Sequence, residues 1–177
     1  MKEKTEKCAI TFPSESEELL LLAAASIINT FAERGLMVQV DLEKLQAIAA
    51  QGLLAVARAS EQVVGAAAIT YIWPDGKHEF GGWAIRESWQ GKGIGGALLS
   101  AIINKTDGEV IAFGNDNSGP IFTKLGAITM EHCQVHPDAF EPCKTCNCKG
   151  KESLPKGKLC VDTIYDLKPL KQEVRNE

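Results

Sequence analysis

Four of the seven residues in Gln90-Gly91-Lys92-Gly93-Ile94-Gly95-Gly96 are glycine, and what flanks them restricts the chain to few folds. Ahead stands a β-rich run ending at Ile85. Behind it Ala97-Leu98-Leu99 and Ile102-Ile103 mark the apolar side of a helix, so the glycines form a turn between strand and helix. Glycine lets such a turn bend without Cβ clashes and leaves the amides at the helix start bare enough for phosphate oxygens to approach. A pyrophosphate suits this arrangement; a turn with no ligand is the plain alternative.

The spacing Gly91-x-Gly93-x-x-Gly96, with Asp116 twenty residues after Gly96, also matches the dinucleotide-binding fingerprint of an oxidoreductase. That fingerprint needs its first glycine tight against the strand end, whereas Arg86 to Gln90 intervene here. It also needs a following parallel βαβ array, for which the remaining chain has no room beside a cysteine-rich segment.

The rest of the chain reads as mixed α/β. Cys8 to Phe12 is a first strand, and Ser14-x-x-Glu17 has the form of a capping box opening a helix that runs to about Arg34 and stops at Gly35. Asp41 caps a second helix that Gly52 ends. Leu53 to Ala59, Val63 to Ile72 and His78 to Ile85 are strands joined by Ser60-Glu61-Gln62 and Pro74-Asp75-Gly76, hence antiparallel. A helix from about Gly93 to Lys105, a strand from Glu109 to Phe113 and a short helix from Ser118 to Leu125, closed by Gly126, follow; Leu159 to Leu167 is the final strand. The pattern predicts an α/β fold with a mixed, mostly antiparallel central sheet of about seven strands and helices on both faces.

With 177 residues, 45% of them hydrophobic, the sequence suits a single domain over 1–177. The net charge of -4 offers no cationic footprint for nucleic acid. Leu19 to Ile28 is apolar apart from Ser26, but ten residues cannot span a bilayer, and Glu15, Glu17 and Glu18 precede it where a signal peptide carries basic residues. No membrane association and a cytoplasmic location are therefore expected. A homodimer stays open.

Gln90-x-x-Gly93-x-Gly95 matches the Gln/Arg-x-x-Gly-x-Gly/Ala signature of the GNAT acyltransferase superfamily. Asn115, Ser118, Phe122 and Lys124-Leu125-Gly126 resemble that family's later motif, in the right order and about twenty residues on. Leu54-Ala55-Val56-Ala57 followed by Val63-Val64-Gly65 is similar to its second and third strands, so the resemblance covers roughly residues 8 to 131. It implies acetyl-CoA as acyl donor. The backbone of Trp83, Ala84 and Ile85 would hydrogen-bond the pantetheine arm, and Gln90, Gly91, Lys92, Gly93, Ile94, Gly95 and Gly96 would hold the pyrophosphate, with Asn115 and Phe122 also on the cofactor side. Lys92 could add a charge beside the phosphates or simply be solvated.

Transfer to an amine needs a neutral nucleophile, and a lysine-like amine has a reference pKa of about 10.4, so a base helps near pH 7. Glu79, six residues before Ile85, resembles the glutamate of histone-acetylating members; its plain alternative is a solvated hairpin charge, and His78 is a weaker candidate. Many members carry a tyrosine at the position of Phe122 whose hydroxyl protonates the leaving thiolate. Phenylalanine cannot donate a proton, which leaves Tyr71 or a water as substitutes, or a protein that kept the pocket and lost the chemistry.

Five of the six cysteines follow residue 130, most of them in a cysteine-rich insertion 132–158, of which His136 to Lys158 has few large apolar residues with which to fold by burial. Cys143-x-x-Cys146 has zinc-knuckle spacing, Cys148 is a third thiolate, and Cys133 or His136 could complete a tetrahedral structural zinc site. A thiol or redox role and a loop without order are the alternatives. Two functions follow: an acetyl-CoA-dependent N-acetyltransferase acting on a small-molecule or peptide amine, or a non-catalytic acyl-CoA-binding sensor with a zinc-stabilised interaction loop.

Overall fold

The computed structural model describes residues 8–144 and 162–171. These residues divide into two compact units, one from residues 8–69 with Gly82–Lys105 and the other from Thr70–Gly81 with residues 106–144 and 162–171. Among the described residues seven strands and four α-helices follow the chain order β1 (Cys8–Thr11), α1 (Glu18–Ala32), α2 (Leu42–Ala50), β2 (Leu54–Ala59), β3 (Gln62–Ile72), β4 (His78–Ile85), α3 (Ile94–Lys105), β5 (Val110–Gly114), α4 (Gly119–Leu125), β6 (Ile128–Met130) and β7 (Thr163–Asp166). Backbone hydrogen bonds order the strands β1-β2-β3-β4-β5-β7-β6. The sheet is antiparallel except between β4 and β5, as the sequence pattern predicts for most of it.

In the first unit β2 carries the run Leu54 to Ala57, buried at every position, which requires cover on both faces of the sheet. Leu54 and Val56 join Leu21 and Ile28 of α1 and Leu45 of α2 in one apolar cluster. The other face belongs to α3: Gly65, paired with Ala57, would bring an added Cβ to 3.2 Å from Leu98 Cδ1. Asp41 accepts from the Lys44 amide at 2.7 Å and starts α2 as expected.

At α1 the expected start moves. Ser14 spends its hydroxyl (3.1 Å) and its amide (2.7 Å) on the Glu17 carboxylate, and the Glu17 amide turns back to the Ser14 carbonyl at 3.2 Å. The helix therefore opens at Glu18 without a side-chain cap and ends at Ala32, two residues short of the predicted Arg34. Those bonds from Ser14 hold the Glu17 carboxyl below its ordinary range.

In the second unit the β3–β4 hairpin tip is closed by the Trp73 amide on the Lys77 carbonyl at 2.8 Å. Lys77 Nζ donates to Asp75 Oδ2 at 2.7 Å, which lowers the Asp75 pKa and raises that of Lys77. The three-residue β6, which sequence reading did not resolve, lies beyond β7, and β7 covers Thr163–Asp166 of the predicted Leu159 to Leu167. Residues 159–161 lie outside the described residues, as does Cys160. Trp73, Ile111 and Ile164 pack with Val135 and Phe140 into a second core. Among the described residues no helix is long and apolar enough to cross a membrane.

Tyr165 of β7 reaches into space that exists because residue 114 has no side chain. A Cβ there would lie 2.7 Å from Tyr165 Cε2 and 3.0 Å from Gly119 Cα. We therefore predict that Gly114→Ala lowers stability by about 1 to 3 kcal/mol in urea denaturation; unchanged stability would show that the ring is not packed at this position.

Candidate active site

Gln90 to Gly96 lie in the first unit and bridge β4 and α3. A single 3-10 turn, Glu87–Trp89, fills the interval after Ile85, and Gln90 Nε2 donates back to the Ile85 carbonyl at 3.0 Å. Gly91 (φ 74°) and Gly93 (φ 79°) are both left-handed, and a Cβ at either would point into open space, so backbone conformation alone demands glycine at these two positions.

The first intrahelical bond of α3 runs from the Ala97 amide to the Gly93 carbonyl at 3.1 Å. The amides of Ile94, Gly95 and Gly96 precede it and stand at the positive end of a twelve-residue helix. Gly96 has nothing within 4 Å of an added Cβ, so its bareness leaves the helix start open. Gly95 serves otherwise. Its Cβ would meet Trp83 Cζ2 at 3.1 Å and Ile85 Cδ1 at 3.2 Å, and its carbonyl accepts from Trp83 Nε1 at 3.1 Å. The indole of Trp83 is thus a clamp on the first turn of α3, and the buried Ile94 and Ala84 anchor the segment. Lys92 is exposed, with its Nζ 4.5 Å above the Trp89 ring.

Glu79, Asn115 and Phe122 lie in the second unit. β4 and β5 pair through His78–Val110, Glu79–Ile111 and Phe80–Ala112, and the ladder ends there although β4 continues to Ile85. Alternation puts Glu79 and Phe80 on opposite faces. Glu79 is half-buried, and Thr70 Oγ1 lies 3.3 Å from its Oε1 and 3.4 Å from its carbonyl oxygen, donating to both. Phe80 meets Phe122 of α4 edge-on, centroids 6.2 Å apart, so α4 covers the face away from Glu79. His78 packs its buried Nδ1 against Gly108.

Asn115 turns out to build its own helix. Its Oδ1 accepts from the amides of Asn117 (2.9 Å) and Ser118 (3.1 Å), fixing the turn that starts α4. Phe122 is buried, its centroid 5.3 Å from that of Tyr165, whose hydroxyl hydrogen-bonds Thr123 Oγ1 at 3.3 Å. The ring centroid of Tyr71, the substitute phenol suggested by sequence, lies 4.2 Å from that of Trp73. Of the chain's two tyrosines it is Tyr165 that touches Phe122; a shortlist of both would have contained it.

Cys133 is an exposed free thiol. Cys143 is described in its backbone alone, and Cys146 and Cys148 lie outside the described residues. Among the described residues no group of three or more His, Cys, Asp or Glu side chains gathers as metal ligands. His136 Nδ1 accepts from the Asp138 amide at 3.3 Å.

Residues 24–127 match the family model described as Acetyltransferase (GNAT) family. The chain belongs to this family of acyltransferases. Among solved structures it is similar to N-acetylglutamate synthase from Neisseria gonorrhoeae, complexed with coenzyme A and N-acetyl-glutamate, at 17% identity, 90% coverage of this chain and a TM-score of 0.66. The match takes in 34% of that synthase, so the chain spans about a third of its length. Rv2747 from Mycobacterium tuberculosis, solved with CoA, is 18% identical over 89% of this chain and 96% of its own, TM-score 0.62. Diaminobutyrate acetyltransferase from Paenibacillus lautus, complexed with L-2,4-diaminobutyric acid and coenzyme A, is 14% identical over 96% of this chain and 99% of its own, TM-score 0.58. No curated protein matches the sequence.

The glycines separate experimentally. Gly93→Ala should cost about 1 to 2 kcal/mol through its left-handed backbone, whereas Gly96→Ala should be neutral or gain up to about 1 kcal/mol of helix propensity. Thermal denaturation of the two variants checks this; equal effects would contradict the geometry.

Proposed function

We propose that the protein is an acetyl-CoA-dependent N-acetyltransferase. The reading is carried by the turn at Gly91 and Gly93, which delivers three helix-start amides and the unobstructed Gly96 to one point, a natural seat for a diphosphate. Similar structures that contain coenzyme A support it.

In this reading the backbone of Trp83, Ala84 and Ile85 holds the pantetheine arm, and Gln90 to Gly96 hold the pyrophosphate. Lys92, Asn115 and Phe122 are assigned to the donor as well, on the family resemblance. Glu79 takes a proton from the acceptor amine, whose nitrogen lone pair forms the new C–N bond at the thioester carbonyl. The C–S bond breaks with its electron pair on sulfur. Phe122 has no hydroxyl to protonate that thiolate, but a thiol of reference pKa about 8.5 leaves tolerably without help.

The acceptor class is an amine, and amino acids head the panel because two similar structures hold N-acetyl-glutamate or L-2,4-diaminobutyric acid. Titration calorimetry with CoA should give heat with the wild type and weaker binding with Gly96→Ala despite its undiminished stability; no heat with the wild type would reject the reading. Glu79→Gln should slow thiol release about a hundredfold or more while leaving CoA affinity nearly unchanged. Equal rates would remove Glu79 from the mechanism.

The buried Phe122 favours a second reading, an acyl-CoA-binding sensor that has lost the chemistry. It predicts a raised melting temperature with acetyl-CoA and background thiol release over a broad amine panel. In either reading Cys143, Cys146 and Cys148 with Cys133 or His136 would hold a structural zinc, a proposal resting on sequence spacing. Elemental analysis of reduced, freshly purified protein should find about one zinc per chain, and a value near zero would reject the site.

A further inference from the structure

We propose that Thr70 is a positioning residue for the Glu79 carboxylate, an inference that rests on the assignment of Glu79 as the base. Thr70 lies on β3, beside the strand that carries Glu79. Its hydroxyl donates in three-centre fashion to Glu79 Oε1 at 3.3 Å and to the Glu79 carbonyl oxygen at 3.4 Å.

The seat for this hydroxyl is made by a missing side chain. Gly81 follows Glu79 by two residues and shares its face of β4. A Cβ on Gly81 would come within 2.9 Å of Thr70 Oγ1 and 3.0 Å of Thr70 Cγ2, so any larger residue would displace the threonine side chain from beside the carboxylate. The absence of a side chain at Gly81 is thus what admits the threonine hydroxyl.

A glutamate has three rotatable side-chain bonds and loses roughly 1.5 to 2 kcal/mol of rotamer freedom when fixed. A base must be held where the proton is given up, since misplacement by about an ångström costs rate steeply. Thr70 supplies that restraint from a neighbouring strand: its β-branched side chain is stiff at χ1, and both oxygens it bonds belong to Glu79. A threonine serving only as strand filler would have no need of its donor.

The experiment compares Thr70→Val, which keeps the shape and removes the donor, with Thr70→Ser, which keeps the donor. Thiol release from acetyl-CoA is followed with L-glutamate, L-2,4-diaminobutyrate and a lysine-containing peptide. Thr70→Val is expected to lower kcat about three- to tenfold, the kinetic equivalent of one net hydrogen bond, with KM for acetyl-CoA unchanged. Thr70→Ser should recover most of the loss, and Thr70→Val added to Glu79→Gln should cause no further loss. A wild-type kcat in Thr70→Val, with Glu79→Gln slowed, overturns the role of Thr70 and spares Glu79. Thr70→Ser as slow as Thr70→Val, or a loss that persists beside Glu79→Gln, likewise overturns it as a structural effect. Unchanged turnover in Glu79→Gln, or no turnover by the wild type on any acceptor, overturns both assignments.

Discussion

The contact of Trp83 with Gly95 fixes the geometry of the glycine turn between β4 and α3. Trp83 sits near the end of β4 and Gly95 in the first turn of α3, and one indole N–H bond of 3.1 Å joins them across the glycine turn. The ring lies where a side chain at residue 95 would be, so bond and packing act together. Left-handed residues at Gly91 and Gly93 reverse the chain without committing it to a direction; the indole decides where the helix start points. Four glycines that look alike in the sequence therefore perform three different tasks.

Elements governed by local chemistry were legible in advance. Asp41 and Gly52 bracket α2, Gly126 ends α4, and two hairpins form at the predicted turns, because caps and turn residues act over three or four positions. What was hidden depends on partners distant in sequence. β6 is three residues long and carries two exposed positions, so no apolar pattern announces it; it exists because β7 arrives beside it. Ser14 and Glu17 show the opposite failure, a correct motif in which the carboxylate captured the hydroxyl that should have capped the helix.

The candidate site was half legible. The glycine turn and Glu79 follow from spacing and family resemblance, but roles within the motif did not. Asn115 turns its oxygen inward on the next two residues that need it, and Trp83 gives its side chain to the helix. Strand alternation alone sets Glu79 and Phe80 on opposite faces, but the gathering of Phe122 and Tyr165 on the Phe80 side comes from packing between elements distant in sequence.

The placement of β7 between β5 and β6 also sets an order of events during synthesis. β6 leaves the ribosome well ahead of Thr163, and until residues 163–166 emerge it has no strand to pair with, while β5 keeps one edge bare. β7 is thus made last yet seated inside β6, which is left as the outermost strand of the sheet.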